Sequence, residues 1–95
     1  MANQKYEAFL KVLETGSFKE AARELGYTQA GMSYLVNSLE KELDTTLLVR
    51  DYGGARPTAE GADLAPLVQD VCNAERRLHA RAADLHHLEG GNVRV

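Results

Sequence analysis

Four side chains able to form directional hydrogen bonds, Gln29, Ser33, Tyr34 and Asn37, stand close together in the first half of the chain. Residues three or four apart share one face of a helix, so on a helix this set faces one way. Gln presents a donor beside an acceptor, the pairing that meets adenine bidentately in the major groove. Ser33 can bond a base or a phosphate. Tyr34 can lay its ring on the sugar-phosphate backbone or a thymine methyl, and Asn37 lies one turn further on. The same residues could instead merely solvate a free surface. Gly31 costs about 1 kcal/mol against Ala inside a helix, and close approach to a duplex is a reason to tolerate it. Thr28 and Ala30 fall where a helix N-terminus would favour phosphate. Arg50, Arg56 and Thr58 are further candidates for the nucleic-acid backbone, as are Lys19 and Lys5.

Other chemistries find little support. His79, His86 and His87 fall on one stretch, but no two of them share the i, i+4 spacing of a metal-binding pair, and adjacent side chains point apart. No nucleophile–base set and no phosphate-cradling loop is present, so neither an enzyme nor a metal or cofactor site is expected. Cys72 is the single cysteine, which excludes an intrachain disulfide, fits a reducing compartment and reads as a small helix residue. No apolar run approaches the ~18 residues of a membrane span, and the polar N-terminus lacks a signal-peptide core, so a cytoplasmic protein is expected. The net charge of −3 argues against a generic polyanion binder. Residues 1–58 hold seven Lys/Arg against eight Asp/Glu, and residues 59–95 hold four against six. A DNA-binding reading therefore requires the cations to be focused on one face. The acidic balance suits the rival reading, a helix-turn-helix that binds a partner protein and no DNA.

The elements that must position the polar set can be read from spacing. Tyr6, Phe9, Leu10 and Leu13 form the apolar stripe of a first helix, stopped by Gly16. Ser17 to Glu20 has the form of a capping box, in which the Ser17 hydroxyl accepts from the Glu20 amide and the Glu20 side chain reaches back. A short second helix runs through Ala21, Ala22 and Leu25 to Gly26. Thr28 caps a third helix with Met32, Leu35, Val36, Leu39 and Leu43 on its apolar side. Short helix, tight turn and longer helix make a helix-turn-helix. Ala22 allows the two helices to approach, and Ala21, Leu25, Met32 and Leu35 supply the core between them. Residues 46–58 read as a small hairpin, with Leu47-Leu48-Val49 leading into a Gly53-Gly54 turn and Arg56-Pro57-Thr58 returning.

Thr58 can cap a long fourth helix reaching about Leu88 and ending at Gly90-Gly91, with a kink or break at Pro66. Leu64, Val71, Leu78 and Leu85 repeat every seven residues, and Leu67, Ala74, Arg81 and Leu88 form the second row. Such a seam asks for a partner helix. Arg81 is the misfit. A parallel pair would set it level with its copy, whereas an antiparallel pair can bring it towards a carboxylate such as Asp70 or Glu75. The dimerisation residues expected are Leu64, Leu67, Val71, Leu78, Leu85 and Leu88.

These residues resemble the N-terminal module of the LysR-type transcriptional regulators across nearly the whole chain. The resemblance rests on Phe9, Gly16-Ser17-Phe18, Ala21-Ala22, Leu25, Thr28-Gln29, Met32-Ser33, Leu39-Glu40, Glu42-Leu43, Leu47-Leu48 with Arg50, and Thr58-Ala59-Glu60-Gly61. It implies a mainly α fold: a winged helix-turn-helix over residues 1–58, with three helices and a two-stranded wing, then a linker helix over 59–89 that pairs antiparallel with its copy. It also implies an inverted-repeat operator bound as a homodimer, higher oligomers being open to the full-length protein. A further domain binding a small-molecule effector is implied, with residues 90–95 at its start and Val93-Arg94-Val95 as its first strand, so that this chain is a piece of a longer regulator. The chain departs from the family's usual pattern in four places. Gln29-Ala30-Gly31 stands where Gln-Pro-Ala is common, Tyr34 where Arg is frequent, Leu35 where a polar residue is frequent, and Leu48 where Phe is common.

Overall fold

The computed structural model describes residues 4–52 and 54–92, with side chains through residue 86. Its elements are α1 (Gln4–Thr15), α2 (Phe18–Leu25), α3 (Gln29–Leu43), β1 (Leu48–Asp51), β2 (Gly54–Pro57) and α4 (Ala59–Asn92). The first three helices and the antiparallel β1–β2 pair make a winged helix-turn-helix, and α4 leaves it as a long arm. The expected Gly53 turn residue, the Leu88 side chain and the Val93–Val95 strand lie outside the described residues.

The helix boundaries have local causes. Gly16 adopts a left-handed conformation after α1, and Ser17 then caps α2 by accepting from the Glu20 amide at 3.1 Å. The reciprocal half of the expected capping box does not form: the Glu20 carboxylate pairs with Arg23, and the Ser17 amide donates to Thr15 Oγ1. Arg23 lies one turn along the helix and offers a cation, a stronger partner than a neutral amide. Gly26 ends α2 at φ 80°, which glycine adopts without a Cβ clash, and Thr28 caps α3 by accepting from the Gly31 amide at 2.9 Å. Gly31 has a reason inside the chain as well, since a Cβ there would sit 3.1 Å from Thr28 Oγ1.

The core lies where α1, α2 and α3 meet. Phe9, Met32, Leu39, Leu47, Val12 and Val36 are its largest fully buried side chains, with Ala21 and Ala22 filling the close helix crossing. Leu25 and Leu35 pack at its edge. Ala8 and Val12, outside the stripe read for α1, are fully buried.

The wing is held mainly by backbone groups. The Glu40 carboxylate accepts from the Leu47 and Leu48 amides at 2.7 and 3.1 Å, tying the end of α3 to β1. The Ala55 amide donates to the Gly16 carbonyl at 2.9 Å, and a Cβ on Gly54 would collide with that same oxygen. At the root of α4 the Thr58 amide donates to the Leu47 carbonyl at 2.9 Å, and a Cβ on Gly61 would strike that carbonyl. Thr58 Oγ1 donates to the Thr46 carbonyl at 2.6 Å and accepts from the Gly61 amide at 2.8 Å. Helix α4 can therefore lie against the Leu47 backbone, just before β1, only because residue 61 has no side chain.

Beyond that root, α4 packs on α1 through Val68 and Cys72, both buried, with Leu64 and Ala65 partly buried. Burial pushes the Cys72 thiol above the usual cysteine range. Two expectations for α4 are corrected. The helix passes through Pro66 without a break, and it runs to Asn92 rather than ending at Gly90-Gly91. Pro66 is the eighth residue of α4 and takes away the helical partner of the Ala62 carbonyl, a cost that, like that of glycine, weakens a helix without forbidding it. Leu64 is likewise shared with the core rather than standing wholly on the free seam.

Candidate nucleic-acid interface

Helix α3 divides cleanly into two faces. Met32, Val36 and Leu39 are buried, while Gln29, Ala30, Tyr34 and Asn37 are exposed and Ser33 is half-exposed. Tyr34 keeps 71% of its surface open, so it contributes little to the core. The structure thus brings Gln29, Ser33, Tyr34 and Asn37 onto one open helical surface. No acidic residue occurs between Gln29 and Leu39; the acids Glu40, Glu42 and Asp44 fall at the far end. This reverses the arrangement that best stabilises a helix, since acids favour the N-terminus and cations the C-terminus. Each acid is accommodated locally. Glu40 holds the wing amides, Glu42 pairs with Lys5, and Asp44 closes the helix in a left-handed conformation. The N-terminal end is left to a ligand of negative charge.

The structure distinguishes the backbone candidates. Thr28 accepts from the Gly31 amide and is exposed, so its hydroxyl proton remains available. Thr58 also acts as a cap, but its single hydroxyl proton goes to Thr46, leaving none for a phosphate; it holds the wing to α4 instead. Lys19 is exposed on the first turn of α2. Arg56 Nε donates to Asp51 Oδ2 at 2.9 Å across the wing. Lys5 is drawn to Glu42, about 20 Å along α3 from Gln29. Hydrogen bonding to Glu42 raises the Lys5 pKa. Lys11 is bridged to Glu14 and Glu24. Arg50 behaves unlike the other cations. Its guanidinium lies 3.7 Å over the Phe18 ring, and Nη2 donates to Ser33 Oγ, joining wing, α2 and α3. Sequence spacing gave no sign of that junction.

The family model for the bacterial regulatory helix-turn-helix proteins, lysR family, matches residues 4–62. The chain belongs to the lysR family.

This lysR-family chain is 31% identical over 90 residues to an uncharacterized HTH-type transcriptional regulator, YvbU, of Bacillus subtilis (strain 168), covering 94% of this chain and 31% of that protein. Over 72 residues it is 40% identical to a probable nitrogen assimilation transcriptional activator of Synechococcus elongatus, covering 76% of this chain and 23% of that one. The lysR-family chain thus spans under a third of the length of these relatives. Among solved structures, full-length CbnR complexed with its target DNA superposes with a TM-score of 0.80 at 25% identity, over 87% of this chain and 29% of that one. Vibrio fischeri DarR in complex with DNA gives 0.85 at 21% identity, over 93% and 30%. The second likeness is one of fold alone. Together they identify the architecture as the family's winged helix-turn-helix followed by its long helix. The relatives are named as transcriptional regulators rather than enzymes. Among the described residues no helix is long and apolar enough to cross a membrane, and no three His, Cys, Asp or Glu side chains gather as metal ligands would.

Proposed function

We propose that this lysR-family chain is the DNA-reading module of a cytoplasmic transcriptional regulator, with α3 entering the major groove. The observation that carries the proposal is the composition of α3: an exposed, acid-free N-terminal face bearing Gln29, Ser33, Tyr34 and Asn37, with every acid of the helix at the other end. A duplex admits such a helix, and the N-terminal end of a helix favours phosphate. Gln29 and Ser33 read base edges, Tyr34 and Asn37 extend the contact, and Thr28, Ala30, Lys19 and Arg56 meet the sugar-phosphate backbone. That CbnR was solved with its target DNA supports the same reading. The wider protein is expected to add a domain that takes a small-molecule effector.

The chain acts as a homodimer through α4. Leu67, Val71, Leu78 and Leu85 are 58%, 40%, 66% and 47% exposed, an apolar strip that a lone chain leaves in water. The strip continues onto the winged domain through Leu43 and Tyr6, which line one shallow apolar depression with Leu64, Leu67, Val68 and Val71. Pairing the arms antiparallel separates the two Arg81 side chains and sets a reading helix at each end, as an inverted repeat requires.

The test is duplex binding as a function of salt. Phosphate contacts make affinity fall steeply as salt rises, whereas docking on a protein partner leaves duplex affinity negligible at every salt concentration. Absence of salt-dependent binding to any sequence in a random pool refutes the DNA reading and leaves the protein-interaction module standing.

A further inference from the structure

We infer that Arg50 is a positioning residue for base recognition: by donating to Ser33 Oγ, it leaves Ser33 to meet DNA as a hydrogen-bond donor. The inference rests on the reading of α3 as the groove-facing helix and assigns Arg50 a different task from the phosphate contact expected of a wing arginine.

Two contacts hold the guanidinium, and the strand that carries it is itself fixed. Its carbon lies 3.7 Å from the Phe18 ring centroid, and Phe18 is buried at the first position of α2. One terminal nitrogen donates to Ser33 Oγ in the second turn of α3. The strand carrying it is set in place from both ends, since Glu40 accepts the Leu47 and Leu48 amides and Arg50 pairs in register with Ala55, whose amide bonds Gly16. An arginine reaching for phosphate would extend its head group away from the domain. This one is laid across a ring and onto the reading helix.

The chemical consequence follows from what each group can give. A guanidinium carries donors and no acceptor, so the Ser33 proton cannot be directed at Arg50. Among the described residues no other group takes that proton. A serine hydroxyl has one proton to give, and its oxygen already receives a charge-assisted bond. Towards the groove, Ser33 thus seeks acceptors: purine N7, guanine O6 or thymine O4. The amino groups of adenine and cytosine are donors and meet only the one lone pair that Arg50 leaves, on an oxygen already engaged by a cation. Arg50 thus biases an ambivalent hydroxyl towards donation without touching the base.

The experiment begins with the preferred duplex selected from a random pool by the 95-residue chain. Affinities for every single-position variant of that duplex are then measured for the wild type, S33A, R50A, R50K and S33A/R50A, with thermal melts to confirm folding. S33A is expected to flatten base preference at one position by about tenfold. R50A should flatten the same position by a similar factor, and the double variant should be no flatter than either single one. R50K keeps the charge but not a plane that can lie on Phe18 while bonding Ser33. It should retain the wild-type salt slope and lose at least half of the preference on a logarithmic scale. Equal weakening of every duplex by R50A, with preference intact and a flatter salt slope, overturns the inference in favour of a phosphate contact. So does an R50K protein equal to wild type in both readouts. Gln29→Ala separates the two levels of the argument. If it relaxes preference while S33A does not, only the Arg50 inference falls; if neither does, base reading by α3 falls with it.

Discussion

Helices α3 and α4 each bury one face on the same small domain and leave the other open, yet the open faces have opposite chemistry. That of α3 is polar, with Gln29, Ser33, Tyr34 and Asn37, whereas that of α4 carries Leu67, Val71, Leu78 and Leu85. Water alone would tolerate the first and penalise the second. The contrast teaches that the molecule has two unfinished surfaces calling for different partners. One suits a polar, patterned ligand, and the other is apolar and, in the proposed dimer, takes a helix like itself. They are joined through a rigid root, so occupation of one bears on the other.

The sharpest way to break this comparison is to make the open face of α4 polar. Leu78→Asp should yield a monomer whose winged domain melts as before, because Leu78 is 66% exposed and lies beyond the last buried residue of α4, Cys72. On a duplex with two half-sites its affinity should fall by about a hundredfold, since the second contact ceases to be intramolecular. Sedimentation that shows the wild-type chain as a monomer at micromolar concentration sinks the idea. Spin labels placed at residue 85 and found close together would sink only the antiparallel arrangement.

Next in size is the polar face. Gln29→Ala should weaken binding to the preferred duplex by about 1–3 kcal/mol and to random duplex by much less. Equal losses on both would remove Gln29 from base reading and make the α3 face a general polyanion surface.

A third change tests whether α3 and the wing form one body. Both wing amides bond the same Glu40 oxygen, so Glu40→Gln keeps an acceptor there but removes its charge, and should lower stability by about 1–2 kcal/mol in chemical denaturation. An unchanged midpoint would mean that the charge on Glu40 contributes nothing to holding the wing. The smallest effect belongs to Arg56→Ala, which should weaken specific and random duplex alike and reduce the magnitude of the salt slope by about 1. A slope equal to wild type places Arg56 off the DNA backbone, in its exposed pair with Asp51.

The helices, the wing and the polar set on α3 were legible because each leaves a local signature. Apolar residues recur at helical spacing, Ser17 and Thr28 stand where caps belong, and Gly53-Gly54 interrupts two short extended runs. What stayed hidden depends on chain segments meeting across distance. Glu40 looks like one more acid on a helix until the wing amides turn towards it. Leu64, Val68 and Cys72 do stand at i, i+4 and i+8, but Leu64 also belongs to the heptad row, and the longer leucine repeat masks this docked stripe. Thr58 was legible as a cap, and its bond to Thr46 was not. Gly90-Gly91 misled because glycine usually marks a helix end, although nothing prevents a helix from passing through it. Arg50 could be recognised as a cation of the wing, whereas its place on Phe18 and Ser33 exists only once three elements have come together.

Gly61 makes the root of α4 a fulcrum. The helix meets the Leu47 carbonyl with no side chain between, so there is little soft material there to absorb a change of angle. The arm beyond it contains most of a 34-residue helix. At 1.5 Å per residue, a tilt of about 5° at the root displaces the far end by about 4 Å. That is more than the ~3.4 Å between successive base pairs. In the proposed dimer, a contact on the scale of one missing methyl group therefore governs how far apart the two reading heads stand on a duplex, and substitutions at residue 61 should alter the half-site spacing the protein selects before they alter the bases it prefers.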